Sequence, residues 1–280
     1  MIIVGNGIYV ETGYKGGNVG FIVTDEGVVL VDTPMFPADA QEWRGRIRDL
    51  TRQEVIYIVN TDYHLENVLG NCFFSAATIA HESAWAELAA RGQAALQQVI
   101  EEYKGKNPAL ALALSDTRII LPEVAITDGL RIYKSDRIIE VHHFGGHTPA
   151  TLGVYLADSK VLFTGNVVVQ GCHPDLSQAD SRRWLAALDR IQGMDVEIIV
   201  PGRGSLCKLE DLDVIAAYIR EMQRRVAELY QGGASRREAV EKVRNAMTSR
   251  FPVSKEEAEI VATQIRAGVE RIYEETRKGS

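Results

Sequence analysis

The stretch Asn60-Thr61-Asp62-Tyr63-His64-Leu65-Glu66-Asn67 follows a run of strand-forming residues, Val55–Val59. Such a β-branched run predicts a buried strand. The polar stretch after it places four possible metal ligands or acid/base groups within residues 62–67. In open α/β sheets, ligands bind beyond the carboxyl ends of the strands. The stretch therefore predicts a functional site at the end of a strand.

Three later segments have the same form, because each is a β-rich run that ends in a glycine-bearing turn. They are Phe144-Gly145-Gly146-His147-Thr148-Pro149, Phe163-Thr164-Gly165-Asn166 and Val200-Pro201-Gly202-Arg203-Gly204. The order and spacing of these loops resemble the metallo-β-lactamase fold superfamily over residues 2–207. The resemblance implies an α/β (α+β) fold, namely an αββα sandwich of two mixed β-sheets flanked by helices.

In that superfamily the first loop usually reads HxHxDH, the second has a His in a GHTPG-like turn, the third an Asp in FTGD and the fourth a His in PGHG. These seven side chains hold two divalent metals. Taken position by position, the resemblance places the following residues at the seven ligand positions: Asp62, His64, Glu66, Asn67, His147, Asn166 and Arg203. Two of the family's histidine ligands are present in this chain, as His64 and His147. The resemblance therefore implies the family fold with an altered, degenerate metal site.

The second metal position is the more strongly altered. Asn67 and Arg203 replace histidines there, and Asn166 replaces the bridging carboxylate. Arginine is not a metal ligand, since its guanidinium stays protonated and has no acceptor atom. We expect Arg203 to pair with Glu66 in place of the second metal. If that pair is buried, Arg203→Ala should destabilise the protein by about 3–5 kcal/mol.

The first metal position keeps a possible ligand set, Asp62, His64 and His147. Three protein ligands with an open position are typical of catalytic zinc sites, and two histidines with one carboxylate also describe non-haem iron centres. We therefore expect at most one divalent metal, zinc in preference to iron. The alternative is that the three side chains hydrogen-bond one another and no metal binds.

With a metal bound, the resemblance implies hydrolysis of a small ester, thioester or lactone by an activated water. Glu66 is then the candidate general base, and Arg203 would steady the developing oxyanion. Two alternatives stay open. One is an iron oxygenase of the persulfide dioxygenase type, and the other is a non-catalytic member that binds a metabolite or serves as a scaffold.

Other side chains should border the pocket. Asp32 ends the strand VVLVD and resembles the family's aspartate that orients the metal loop. Asn67 and Asn166 should line the pocket, and His173 lies in a loop that should border it. We expect the remaining histidines to have structural roles: His81, His142 and His143.

The chain divides into a sandwich domain, residues 1–207, and a C-terminal helical extension, residues 208–280, packed on it or forming a homodimer contact. Within the domain, residues 83–114 have an Ala-rich helical pattern, and we expect this insertion to cover the pocket mouth. In the tail, Ser235 with Glu238 fits a capping box before a helix.

Composition limits the kinds of partner and the cellular location that we expect for this protein. The net charge is −7, and no Lys/Arg cluster is interleaved with aromatic residues, which disfavours nucleic acid. No apolar run approaches the ~20 residues that a membrane-spanning helix needs. The three cysteines are far apart and odd in number, which excludes a complete disulfide framework. These features predict a cytoplasmic protein that acts on a small molecule.

Overall fold

Two β-sheets form the centre of the protein in a computed structural model that describes residues 1–279. The first has seven strands in the order β1 to β7, and the second has five in the order β12-β11-β10-β9-β8. The first-sheet strands are Ile2–Gly5, Ile8–Glu11, Val19–Thr24, Gly27–Val31, Val55–Val59, Ala77–His81 and Val124–Ile126. Those of the second, β8 to β12, are Gly129–Tyr133, Ile138–His143, Leu152–Leu156, Val161–Phe163 and Ile198–Val200.

Nine α-helices surround these sheets within the described residues. Helices α1 to α5 are Pro37–Leu50, Leu65–Val68, Glu82–Glu87, Gln93–Lys106 and Pro108–Ser115. Helices α6 to α9 are Ser181–Gln192, Leu212–Gln231, Arg236–Thr248 and Ala258–Gly279. None of the helices described is both long and apolar enough to cross a membrane.

Strand alternation sorts the apolar residues of the first sheet into two layers. In β4, Val29 and Val31 face the second sheet, whereas Val28 and Leu30 pack on α1. Successive side chains of a strand point to opposite faces, so a strand buried on both sides is apolar throughout. Helix α1 presents Trp43 to this outer layer. The predicted αββα sandwich is therefore confirmed.

The outer face of the second sheet is covered by α6 and the C-terminal helices. Leu162 and Ile199 from β11 and β12 share one hydrophobic cluster with Trp184 of α6, Val243 of α8 and Val269 of α9. The C-terminal helices thus bury their apolar stripes against the sandwich. The predicted capping box is confirmed, since Ser235 and Glu238 bond each other's backbone N–H.

Parallel pairing brings the ends of several strands to one edge. Strands β4, β5 and β6 pair in parallel, as do β11 and β12 in the second sheet. Chain segments that follow parallel strands emerge at the same side, so the polar loops after β5, β11 and β12 can meet there.

Candidate metal centre

The four loops singled out in the sequence meet at one edge of the sandwich. Gly202 N–H donates to Gly165 O at 2.9 Å, which joins the loops after β12 and β11. A Cβ placed on Gly165 would lie 2.6 Å from Thr61 Oγ1, so the third loop presses against the first. His147 of the second loop reaches Asp62 of the first. The four loops that the sequence singled out therefore lie together.

Asp62, His64 and His147 form a cluster at the centre of these loops. Each offers a ligand atom, and these atoms all lie within 4.8 Å of one another. His147 Nδ1 is 2.9 Å from Asp62 Oδ2, and His64 Nδ1 is 3.6 Å from Asp62 Oδ1. It is the one group of three or more such side chains found in residues 1–279.

The carboxylate of Asp62 is fully buried and surrounded by donors. It accepts hydrogen bonds from Tyr63 N at 2.6 Å, His147 Nδ1 at 2.9 Å, Thr148 Oγ1 at 3.1 Å and Thr151 Oγ1 at 3.2 Å. Burial by itself would raise the pKa of Asp62. The nearby histidines and these hydrogen bonds outweigh burial and lower the pKa to about 2.

The ring of His147 is fixed from both sides. Its Nδ1 is bonded to Asp62, and its ring packs edge-on against Trp184 with centroids 5.4 Å apart. Gly146 makes this approach possible, because its φ is +87° and a Cβ there would lie 2.6 Å from Trp184 Cα. A histidine held by a carboxylate at Nδ1 keeps Nε2 for a metal.

His64 directly precedes α2, and its Nδ1 is buried without a hydrogen-bond partner. Burial would lower the pKa of His64, but the charges of Asp62, Glu66 and Asp175 outweigh it and raise the pKa. A buried polar atom without a partner is uncommon in folded proteins. This orphaned nitrogen, 3.6 Å from Asp62, fits a site that accepts a cation.

The donor set therefore fits one metal ion, with one qualification for Asp62. A carboxylate offers about four lone-pair positions, and Asp62 already accepts four donors. To bind a metal directly, Asp62 must release one of them. The two imidazoles have no such competition for Nε2 of His147 or Nδ1 of His64.

Arg203 and Glu66 form the expected ion pair, with Arg203 Nη2 2.7 Å from Glu66 Oε1. The pair is not buried, so the condition for a loss of about 3–5 kcal/mol on removal of Arg203 is not met. The Arg203 side chain is 44% exposed and that of Glu66 is 25% exposed. The pair therefore lies at the rim of the loop cluster, where water reaches both side chains.

We expect Arg203→Ala to change the free energy of unfolding by no more than about 1 kcal/mol, since water screens a half-exposed ion pair. Urea denaturation at neutral pH measures this. Arg91→Ala is a matched control, because Arg91 also pairs with a carboxylate, Glu87, on the surface. A loss of several kcal/mol for Arg203→Ala alone would show that the pair is shielded from water.

Asn67 and Asn166 are both buried, and each supports neighbouring backbone. The carbonyl of Asn67 accepts from Asn60 Nδ2 at 2.9 Å and from Thr33 N at 3.1 Å. Asn166 lies against Gly202, where a Cβ would come within 2.3 Å of its Oδ1.

Asp32 holds the first loop through Thr61. The Thr61 backbone N–H donates to Asp32 Oδ1 at 2.8 Å, and its hydroxyl donates to Oδ2. Asp32 adopts a φ of +57°, which few residues other than glycine, Asn and Asp take readily. Burial raises the pKa of Asp32 to about 7, although both hydrogen bonds from Thr61 act in the opposite direction. The predicted orienting position of Asp32 agrees with this geometry.

We expect Asp32→Ala to destabilise the protein by about 2–4 kcal/mol, because it strands two buried donors of Thr61. Asp32→Gly is the matched control, since it removes the same acceptor but relieves the backbone strain of a positive φ. The glycine variant should therefore lose less stability in thermal unfolding. Equal losses would mean that the strain is negligible, and no loss in either would contradict the orienting role.

The remaining histidines lie outside the cluster. His81 accepts from Ser83 N at the start of α3 and stacks on His143 with centroids 4.0 Å apart. His142 accepts from Arg190. The expected structural roles of these three agree with their contacts.

His173 packs against the C-terminal helices. Its Nδ1 lies 3.1 Å from the Tyr218 hydroxyl, and its ring contacts Phe251 with centroids 5.3 Å apart. The side chain is buried. Its place in the pocket therefore stays a prediction.

Residues 12–203 match the sequence profile of the metallo-beta-lactamase superfamily. The chain belongs to this superfamily. A curated relative, the acyl-coenzyme A thioesterase MBLAC2 of Bos taurus, is 25% identical over an alignment of 185 positions that covers 60% of this chain and 66% of that protein. The chain thus spans slightly less than two thirds of the length of this relative.

Solved structures show the same superfamily fold. A metallo-beta-lactamase family protein from Thermus thermophilus is similar with a TM-score of 0.68 and 17% identity, covering 96% of this chain and 94% of that one. The metallo-beta-lactamase from Pontibacter korlensis has a TM-score of 0.63 and 20% identity, covering 79% of this chain and 97% of that one. The similarity to the Thermus thermophilus protein extends into the C-terminal helices, which lie beyond the residues that the family profile matches.

The helical insertion lies beside the superfamily site. Ala84 of α3 packs with Ala150 and Tyr63, which flank His147 and His64 in sequence. The two longer helices, α4 and α5, pack on Phe36 and other residues next to the first loop. The predicted location near the site agrees with these contacts, and control of substrate size by the insertion stays a prediction.

Two features of the site escaped sequence reasoning. Thr148 and Thr151 follow His147 and donate to Asp62, and the motif Thr148-Pro149-Ala150-Thr151 was a possible signal for them. The Tyr63 hydroxyl donates to Gln178 and so connects the first loop to the segment before α6. No local pattern pointed to Gln178.

Proposed function

We propose that this protein is a hydrolase of small esters or thioesters that works with one divalent metal, preferably zinc. The ligands would be His64, His147 and Asp62. The observation that supports this most is the approach of their ligand atoms to within 4.8 Å of one another in a buried cluster. A metal bound there supplies Lewis acidity and an activated water.

The chain's own residues would prepare the reaction. Asp62 accepts the Nδ1 proton of His147 and so fixes the orientation of this ring. Thr148 and Thr151 hold Asp62 in turn through their hydroxyls. The site is therefore orientated before any substrate arrives, which lowers the reorganisation that the reaction requires.

Glu66 and Arg203 would act from the rim. Only Oε1 of Glu66 bonds to Arg203, so Oε2 is available to accept a proton from the attacking water. Arg203 is half-exposed and has further N–H donors for an oxyanion or a substrate carboxylate. Both roles are part of the proposal.

Similarity to a thioesterase supports the thioester class over the lactone class. The relative is named for acyl-coenzyme A hydrolysis, and its 25% identity extends over 185 residues of the aligned chains. We also retain two further proposals, namely a cytoplasmic location and a homodimer contact through the C-terminal helices.

Elemental analysis joined to an activity assay tests the proposal. Protein purified without chelator should contain about one zinc per chain and hydrolyse acetyl-coenzyme A or 4-nitrophenyl acetate. His147→Ala should lose the metal and reduce hydrolysis about a hundredfold or more. His142→Asn is the matched control, because His142 lies on β9 outside the cluster.

Three results would contradict the proposal. One iron per chain with oxygen consumption would favour an oxygenase, and two tightly held metals would contradict a mononuclear centre. Absence of metal and of hydrolysis in the parent protein would favour a non-catalytic member of the superfamily.

A further inference from the structure

A cavity lies between α7 and the segment that follows α8, away from the Asp62 cluster. Its volume is about 530 Å³. Its apolar lining comes from one face of α7, with Val214, Ala217 and Tyr218 at helical spacing, and from Phe251. Val214 is 49% exposed, although it is a large apolar residue. The cavity therefore presents apolar surface to solvent, from the exposed Val214 and the half-buried ring of Phe251.

Arginine side chains surround this apolar surface. Arg220, Arg224 and Arg250 line the cavity, and Glu221 is the one carboxylate among its lining residues. Arg224 is bonded to Glu221 at 2.9 Å and also pairs with Glu228. The lining as a whole therefore carries a net positive charge.

Two of the three guanidinium groups keep their donors available. The nearest carboxylate oxygens are 3.9 Å from Arg220 Nη2, on Asp189, and 3.6 Å from Arg250 Nη2, on Glu221. Both distances exceed those of a hydrogen bond. A ligand carboxylate could accept forked hydrogen bonds from such groups at little cost.

We propose that this cavity binds a small aromatic carboxylate. The ring of the ligand packs on Phe251 and Val214, and its carboxylate bonds Arg250 and Arg220. Binding sites of this kind combine a mainly apolar lining with a few well-placed polar groups that fix the ligand's orientation. The cavity volume of about 530 Å³ lies in the range typical of small-molecule sites.

A second arginine-rich cavity provides the contrast. It has a volume of about 460 Å³ and is lined by Arg236, Arg237, Arg244 and Arg266. No aromatic residue lines it, and Arg266 pairs with Glu270 at 3.2 Å. Arginine charge is thus common to both cavities, whereas the aromatic surface belongs to the first.

Fluorescence titration with 2-naphthoate tests the proposal on the full-length protein. We expect one saturable site per chain. Arg250→Gln and Val214→Glu should each weaken binding at least about tenfold, through loss of a charge-assisted hydrogen bond and through charge repulsion. Arg244→Gln, in the second cavity, should leave the affinity unchanged. If Arg250→Gln lowers the melting temperature, Arg220→Gln replaces it.

Two probes that each lack half of the ligand complete the test. Neither 2-naphthamide, which has no charge, nor acetate, which has no ring, should compete with 2-naphthoate at equal concentration. If acetate competes with 2-naphthoate at equal concentration, the cavity recognises only negative charge and the proposal is overturned. Equal affinity of the parent, Arg250→Gln and Val214→Glu for 2-naphthoate would overturn it as well.

Discussion

Asp62→Ala is expected to destabilise the protein by about 3–5 kcal/mol and to abolish metal binding. Asp62 is fully buried and accepts hydrogen bonds from the Tyr63 backbone, His147, Thr148 and Thr151. Its removal takes the shared acceptor away from four donors in the interior, of which the Thr151 hydroxyl can still bond to Thr148 O. Urea denaturation followed by elemental analysis measures both effects.

Asp62→Asn separates the charge of this side chain from its shape. The amide keeps one acceptor oxygen, so the loss of stability should be smaller than for alanine. The pKa of Asp62 is lowered from 3.8 to about 2, so its carboxylate stabilises the folded state above pH 3.8. The advantage of the parent over Asp62→Asn should therefore shrink as the pH falls from 3.8 towards 2. An advantage that grows on acidification would contradict this account.

Gly202→Ala is expected to destabilise the protein by about 3 kcal/mol or more, the upper end of the range for overpacking. A Cβ at this position would lie 2.3 Å from Asn166 Oδ1 and 2.7 Å from Asn166 N and Gly165 C. The backbone cannot easily withdraw, because Gly202 N–H also donates to Gly165 O and Val168 O at 2.9 Å. Thermal unfolding followed by circular dichroism measures the loss.

Gly45→Ala is the control for the glycine substitution. Gly45 lies inside α1, and a Cβ there would meet nothing within 4 Å. Alanine should stabilise this helix by about 0.5–1 kcal/mol. If Gly202→Ala unfolds at the temperature of the parent, the third and fourth loops are less tightly packed than the structure indicates.

Local signals predicted several elements well. Helix α1, Pro37–Leu50, has such signals, since Trp43 and Ile47 repeat at helical spacing and a proline begins the helix. The capping box at Ser235 and Glu238 was found for the same reason, because its partners are three residues apart. Features of this kind depend on residues that are close in sequence.

The site was predicted only in part. His64 and His147 kept the family's residue types, so their loops could be identified from the motifs around them. The threonines that hold Asp62 are 86 and 89 residues from it in sequence, so the motif that contains them does not by itself indicate which acceptor they contact. The same holds for the bond between Tyr63 and Gln178.

The sequence by itself determined the superfamily fold, the four loops and the side chains that stand at the ligand positions. These follow from motifs and from hydrophobic periodicity, which are local properties of the chain. Only the tertiary structure decided that Asp62 is saturated with donors and that the Arg203–Glu66 pair is half-exposed. Exposure and hydrogen bonding at these positions depend on how distant segments pack, and residue types alone do not specify that packing.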